Sequence, residues 1–244
     1  MHNIKVVVEY DGTDYFGFQK QPGMRTIQGE LECVLTRITK EPISVYGAGR
    51  TDAGVHAEGQ VINFKTGGTI PTKNIVVALN SMLPKDIVAK DASEVPGEFH
   101  SRYSAKSRVY KYVVLNDVIP SAISGRFVWC FPYKLDETVM NRAAEALLGV
   151  HDFTSFSAAG ADTPHRVREM KKLTVHRSGK HIIFDIEANA FLHSMARIIV
   201  GTLTDVGQGR LESKDITRIL EAKDRRLAGK TAPPSGLSLM EVTY

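Results

Sequence analysis

One carboxylate and one guanidinium stand in an unusually glycine-rich run, Gly47-Ala48-Gly49-Arg50-Thr51-Asp52-Ala53-Gly54-Val55-His56-Ala57. Glycine costs backbone entropy, so three within eight residues imply an unusual chain path or a close approach by something else. Ile43-Ser44-Val45-Tyr46 before the run and Gly59-Gln60-Val61-Ile62-Asn63-Phe64 after it read as strands, which puts Asp52 on a loop between them. Glycoside hydrolysis usually needs two carboxylates flanking the bond, and no obvious second one is present. Gly229-Lys230-Thr231 lacks the upstream glycine and preceding strand of a phosphate loop. Asp52 and His56 are a single pair and fall short of a metal site. What remains is covalent or proton-transfer chemistry by one aspartate, with an arginine to hold it ionised. Arg197, on a helix face shared with His193 and Gly201, is a candidate for that partner.

Positive charge is concentrated rather than large. The formal net charge is +4. Residues 99–112 carry Arg102, Lys106, Arg108 and Lys111 with no acid, and residues 165–181 carry Arg166, Arg168, Lys171, Lys172, Arg177 and Lys180 against Glu169 alone. Such clusters are often only a solvated face, but they are also the footprint of a polyanion binder. In the first segment aromatics interleave with the cations, as Phe99-His100-Ser101-Arg102-Tyr103 and Arg108-Val109-Tyr110-Lys111-Tyr112. Rings offer stacking platforms to unpaired bases while Arg and Lys hold phosphates. Tyr110 and Tyr112 share one side of a strand, and one of them is expected to be core.

These groups need a scaffold, and the pattern of elements suggests one. Ile4 to Tyr10 alternates as a strand, and Asp11-Gly12-Thr13-Asp14 is a turn. Thr26 caps a helix with Ile27, Leu31, Val34, Leu35 and Ile38 on one face. Pro71 opens a second helix with Ile75, Ala78, Leu79 and Met82, closed by Pro84, and a strand begins at Ile87. The first half is therefore β-α-β-β-α-β, a ferredoxin-like order. The second half reads the same way: a strand from Arg108 to Leu115, a helix from Asp136 through Leu148, and a hairpin of Lys172–His176 with His181–Glu187. A helix from Phe191 to Val206, another near Ser213 to Ala222, and a last strand from Leu237 to Tyr244 follow. Between them, His151 to Arg168 reads as a mobile loop whose basic end could close over a ligand.

Composition sets the outer bounds. At 244 residues, 43% hydrophobic and 24% charged, the chain has ordinary globular proportions, enough for one large domain or two fused small ones. No apolar run approaches the ~20 residues of a membrane span, and no signal-peptide pattern follows Met1. Cys33 and Cys130 are unpaired by motif, consistent with a reducing compartment, so a cytoplasmic enzyme or binding protein is expected.

The residues also resemble a known family. Gly49-Arg50-Thr51-Asp52-Ala53-Gly54-Val55-His56-Ala57 is similar to the signature of the tRNA pseudouridine synthase A family. Four further segments agree in order: Tyr10-Asp11-Gly12-Thr13 with Gln19 and Gln21, Phe99-His100-Ser101-Arg102, the helix from Phe191 to Leu203, and Gly236 to Tyr244. The resemblance implies an α+β chain of two fused ferredoxin-like (βαββαβ) halves, residues 1–104 and 105–244. In it the halves share a continuous, mainly antiparallel sheet with a central cleft. It implies isomerisation of uridine to pseudouridine at position 38, 39 or 40 of the tRNA anticodon stem-loop, on a flipped-out base. Asp52 matches the catalytic aspartate, Arg50 the arginine that flips or holds out the nucleotide, Tyr110 the tyrosine packing on the uracil, and Arg197 the arginine paired with the aspartate. Phe99, His100, Arg102, Tyr103, Arg166 and Arg168 are then candidate tRNA contacts. A homodimer with tRNA as partner is implied, with no metal, organic cofactor or membrane. Three positions depart from the commonest pattern: Phe18 where tryptophan is frequent, and Ser194 and Ser235 where histidine is frequent. A non-catalytic tRNA-binding chaperone would need the basic and aromatic segments without Asp52; a phosphate-handling enzyme would use the glycine loop for a small nucleotide.

Overall fold

Alternation at the N-terminus is realised as β1 (His2–Tyr10), in which Ile4, Val6, Val8 and Tyr10 turn inward and are buried. The computed structural model describes residues 1–158 and 165–244, and the chain packs as two units: Met1–Lys106 with Ser238–Tyr244, and Ser107–Leu237.

In the first unit, Thr26 caps α1 (Ile27–Thr39) by accepting a hydrogen bond from the Gly29 amide, and Ile27, Leu31, Val34 and Leu35 face the core. Two residues, Tyr46–Gly47, form β2, which pairs antiparallel with the long β3 (His56–Thr66). Pro71 precedes α2 (Thr72–Met82); Ile75 and Leu79 are buried, whereas Met82, expected on the same face, is exposed in the last turn. β4 (Ile87–Val95) pairs with β1, and β1 with β3, so the antiparallel strands lie in the order β4-β1-β3-β2. The expected β-α-β-β-α-β unit is present.

The second unit begins with β5 (Ser107–Leu115), flanked in parallel by the short β6 (Trp129–Cys130). Asp136 caps α3 (Glu137–Ala144) through the Thr138 and Val139 amides, and the chain tightens into a 3-10 turn at Glu145–Leu147, short of the expected helix end. β7 (Gly149–Asp152), β8 (Val167–Ser178) and β9 (His181–Ala188) follow, giving the antiparallel order β5-β9-β8-β7. The segment His151 to Arg168, expected to be one mobile loop, is largely built in. His151 and Asp152 pair with Arg168 and Val167, and Phe153 and Phe156 are wholly buried around a 3-10 turn; residues 159–164 lie outside the described residues. Apolar spacing had suggested a helix from Phe191, but α4 spans Met195–Gly207, because Ser194 takes a left-handed φ of 56° and starts the helix afresh. His193 is consequently not on the helix face of Arg197 and Gly201. After α5 (Asp215–Ala222), β10 (Leu237–Thr243) closes the chain, and Ser238 and Leu239 pair in parallel with His56 and Ala57 of β3. The fold is α+β, with sheets antiparallel apart from these short parallel pairings.

Candidate active site

The Asp52 loop departs from a strand ladder and is then tied down residue by residue. β2 hands over to Ala48, whose amide still bonds the Val61 carbonyl at 2.8 Å. The next carbonyl, Gly49, leaves the ladder and accepts instead from the Gln60 side-chain amide, also at 2.8 Å. The Thr51 carbonyl accepts the Phe18 amide at 3.0 Å, and the Gly54 amide reaches the Tyr15 carbonyl at 3.3 Å. Within the loop the Val55 amide bonds the Asp52 carbonyl at 3.2 Å. Thr51 is buried and its hydroxyl meets the Tyr10 hydroxyl at 2.8 Å. Between these anchors Asp52 is half-buried and Arg50 exposed, so one fixed backbone presents a carboxylate and a guanidinium two residues apart.

The segment Tyr10–Phe18 is the other wall of this arrangement. Gly17 runs at φ 85°, and a Cβ there would lie 2.7 Å from the Thr51 carbonyl oxygen, so only glycine lets the two stretches meet. Phe18, the departure from tryptophan, is buried with its ring against Gly47, where a Cβ would come within 2.5 Å of the ring. At that position the close approach is made by the chain's own phenyl ring. Burial pushes the Tyr10 hydroxyl up to about 12, partly offset by its bonds to Thr51 and Gln60, so it is a neutral strut. Tyr15 donates to Asp86 at 2.5 Å and accepts from Arg25, whose guanidinium lies 4.2 Å from the ring centre; burial and Asp86 keep its hydroxyl protonated. The buried His56 accepts the Gly12 amide on Nδ1 at 3.0 Å, which puts a neutral ring's proton on Nε2. Asp11, 3.2 Å from the same nitrogen, becomes an ion-pair partner only if the ring is protonated.

The second unit carries the other candidates. Tyr110 on β5 is 7% exposed and meets Phe191 edge-on, with ring centres 4.9 Å apart. Tyr112 is 0% exposed and donates to the Pro233 carbonyl at 2.8 Å. Both tyrosines are therefore core residues, where only one was expected, because β5 turns every second side chain inward. Arg197 on α4 is half-buried and clamped: its Nε donates to the Ala232 carbonyl at 2.8 Å while the Ala232 amide donates back to the Arg197 carbonyl at 3.0 Å. Arg166 and Arg168 flank the entry to β8. Arg168 bonds the His165 and Val167 carbonyls, and burial, with the nearby Arg108, lowers its pKa. Arg108 is itself buried and donates to the Asn189 carbonyl at 2.7 Å.

Phe99, His100, Arg102 and Tyr103 form a separate aromatic turn in the first unit. Gln60, Tyr10 and Gly17 are the positioning residues that motif reading passed over. Among the described residues no group of three His, Cys, Asp or Glu side chains is placed to hold a metal ion, and no helix is long and apolar enough to cross a membrane.

Comparison with known proteins gives this geometry a context. Residues 6–104 and 143–244 match the family model for tRNA pseudouridine synthase. The chain is 48% identical over 244 residues to the tRNA pseudouridine synthase A of Caldicellulosiruptor saccharolyticus, covering 100% of both chains. It is 44% identical over 244 residues to that of Acetivibrio thermocellus, again covering 100% of both. With the protein of the same name from Halalkalibacterium halodurans it shares 46% over 238 residues, 97% of this chain and 90% of that one. Full-length similarity that includes the loop around Asp52 means that the chain belongs to the tRNA pseudouridine synthase family, isomerases that act on tRNA.

Proposed function

We propose that this chain converts uridine to pseudouridine at position 38, 39 and/or 40 of the tRNA anticodon stem-loop, with Asp52 as the catalytic carboxylate acting on a flipped-out base. The supporting observation is the loop itself: an aspartate within the family signature, half-buried, on a backbone tied to Phe18, Tyr15, Tyr10 and Gln60. A carboxylate held this way can approach a nucleotide without first being ordered, which removes an entropic cost from the reactive encounter.

In the proposed reaction the ionised Asp52 starts cleavage of the bond between ribose C1′ and uracil N1. The uracil turns and rejoins C1′ through C5, losing its C5 hydrogen to solvent while N1 gains a proton, so the conversion is an isomerisation with no net oxidation. Arg50, exposed beside Asp52, holds out the extruded nucleotide. By family resemblance Tyr110, 7% exposed, packs the open edge of its ring on the uracil, and Arg197 pairs with the aspartate. Phe99, His100, Arg102, Tyr103, Arg166 and Arg168 contact the tRNA elsewhere. The protein acts in the cytoplasm as a homodimer, and a monomer alone in sedimentation at micromolar concentration would remove the dimer from this reading.

The position assignment has a direct test. A tRNA transcript tritiated at uracil C5 should lose label to water with this protein. It should lose none when residues 38, 39 and 40 are all cytidine. Release that survives this replacement would place the reaction elsewhere in the tRNA.

A further inference from the structure

The turn after β4 is fastened to the first unit more firmly than a surface excursion requires. Asn3 donates to the Pro96 and Phe99 carbonyls, both at 2.9 Å, and Asn63 donates to Asn3 while accepting the Ser101 amide, again at 2.9 Å. Both asparagines are buried. The Ser101 hydroxyl donates to the Tyr46 carbonyl at 2.6 Å, and the Tyr244 hydroxyl donates to the Ser101 carbonyl at 2.9 Å. This turn and β2 together carry a row of three rings. His100 lies between Tyr46 and Tyr103, with ring centres 4.9 and 4.5 Å apart. The outer rings are open to solvent, Tyr46 at 45% and Tyr103 at 77%.

Beside the row is a cavity of about 400 Å³, lined by Ser44, Tyr46, Asn63, Lys65, Phe99 and His100, with Glu98 also contributing. Its volume is in the range of small-molecule sites. Neither Asp52 nor Arg50 lines it. The Arg102 amide donates to His100 Nδ1 at 3.1 Å, so the neutral ring carries its proton on Nε2, a donor suited to a base carbonyl. Burial and Arg102 lower the pKa of this histidine and so favour that neutral form. The exposed Lys65 supplies a cation for a phosphate, and the Arg102 guanidinium stands 5.8 Å from the Tyr103 ring centre.

We propose that the row and the cavity beside it form a second nucleobase site, in which an unpaired stretch of the tRNA, away from the reacting uridine, stacks a base on the exposed Tyr103 ring and sets a phosphate against Lys65 at the cavity. Exposed rings stack on unpaired bases, and every base has a face to offer. The proposal rests on tRNA being the substrate.

The test measures tRNA affinity by filter binding, and C5-tritium release at saturating tRNA, for wild type, Tyr103→Ala and Tyr103→Phe. Tyr103 is exposed, so its truncation leaves the core intact. Tyr103→Ala should weaken tRNA binding by about 5- to 150-fold, the range for loss of one base stack. Tyr103→Phe should restore the affinity, and Lys65→Ala should reduce the salt slope of binding by about one. Unchanged affinity in Tyr103→Ala would overturn the proposal while leaving the catalytic assignment standing. A wild-type protein that neither binds tRNA nor releases label would instead defeat the underlying reading. Uridine or adenosine monophosphate at millimolar concentration serves as the second arm. Saturable binding of either that is lost in Tyr103→Ala, with tRNA affinity unchanged, would make this a free-nucleotide site and would also overturn the proposal.

Discussion

Gln60 is the residue through which the position of the Asp52 loop can be tested without touching the carboxylate and guanidinium that the loop presents. It is 0% exposed on β3, and its side-chain amide donates to the Gly49 carbonyl at 2.8 Å and, more weakly, to the Tyr10 hydroxyl at 3.4 Å. The substitution Gln60→Leu keeps side-chain volume and removes both bonds. Leaving the Gly49 carbonyl without this donor costs about 1–3 kcal/mol. Against this, Gln60 Oε1 is buried with no hydrogen-bond partner among the described residues, and deleting it returns a similar amount. Replacing a buried amide by an apolar group adds a small favourable transfer. The net change in folding stability is therefore within about 1 kcal/mol of zero. Catalysis has no such compensation. With Gly49 released, Arg50 and Asp52 drift from their set positions, and a displacement near 1 Å costs on the order of 10- to 100-fold in kcat. Urea unfolding and single-turnover C5-tritium release, measured on the same preparation, separate the two quantities. Retained kcat would show that the Gln60 tie does not set the loop. A stability loss beyond about 3 kcal/mol would show that the cancellation is wrong.

The raised hydroxyl of Tyr10 predicts an alkaline limb. Its pKa is about 12 in the folded chain against the ordinary 10.0, so the unfolded state ionises first. Its contribution is whole below pH 10.0 and lost as pH rises toward about 12, in total roughly 2–3 kcal/mol. Tyr15 and Tyr112 are displaced in the same direction, so Tyr10→Phe should lessen, not abolish, the fall in urea midpoint between about pH 9 and pH 11; an unchanged fall would exclude Tyr10 as a source. Binding of tRNA should weaken steeply with salt, and Arg102→Ala or Arg166→Ala should each lower the log–log slope by about one, whereas an unaltered slope would remove that arginine from phosphate contact.

Much of the scaffold was legible because local chemistry and tertiary structure agree. Thr26 both reads and acts as a cap, and the alternation of β1 survives as its buried face. Glycine spacing singled out the loop of Asp52, and the structure shows that loop to be fixed by its neighbours. Other features depend on distant partners, which periodicity does not carry. The apolar spacing around Leu192 and Met195 continues through Ser194, yet its left-handed backbone delays α4 and removes His193 from the helix face. His151 and Arg168 are seventeen residues apart and polar in context, but they pair across a ladder that a loop composition concealed. Tyr110 and Tyr112 share one side of β5 as their spacing requires, but the elements packed on that side bury both. Gly17 illustrates the same limit, since its glycine is required by the Thr51 carbonyl, thirty-four positions onward.

In the proposed reaction the Asp52 carboxylate carries the isomerisation while the remainder of the loop carries shape. Asp52→Asn keeps the size and polarity of the side chain and removes only its capacity to ionise. With tRNA tritiated at uracil C5, this variant should bind as tightly as wild type while label release falls to background. Persistent release by Asp52→Asn would contradict the assignment outright.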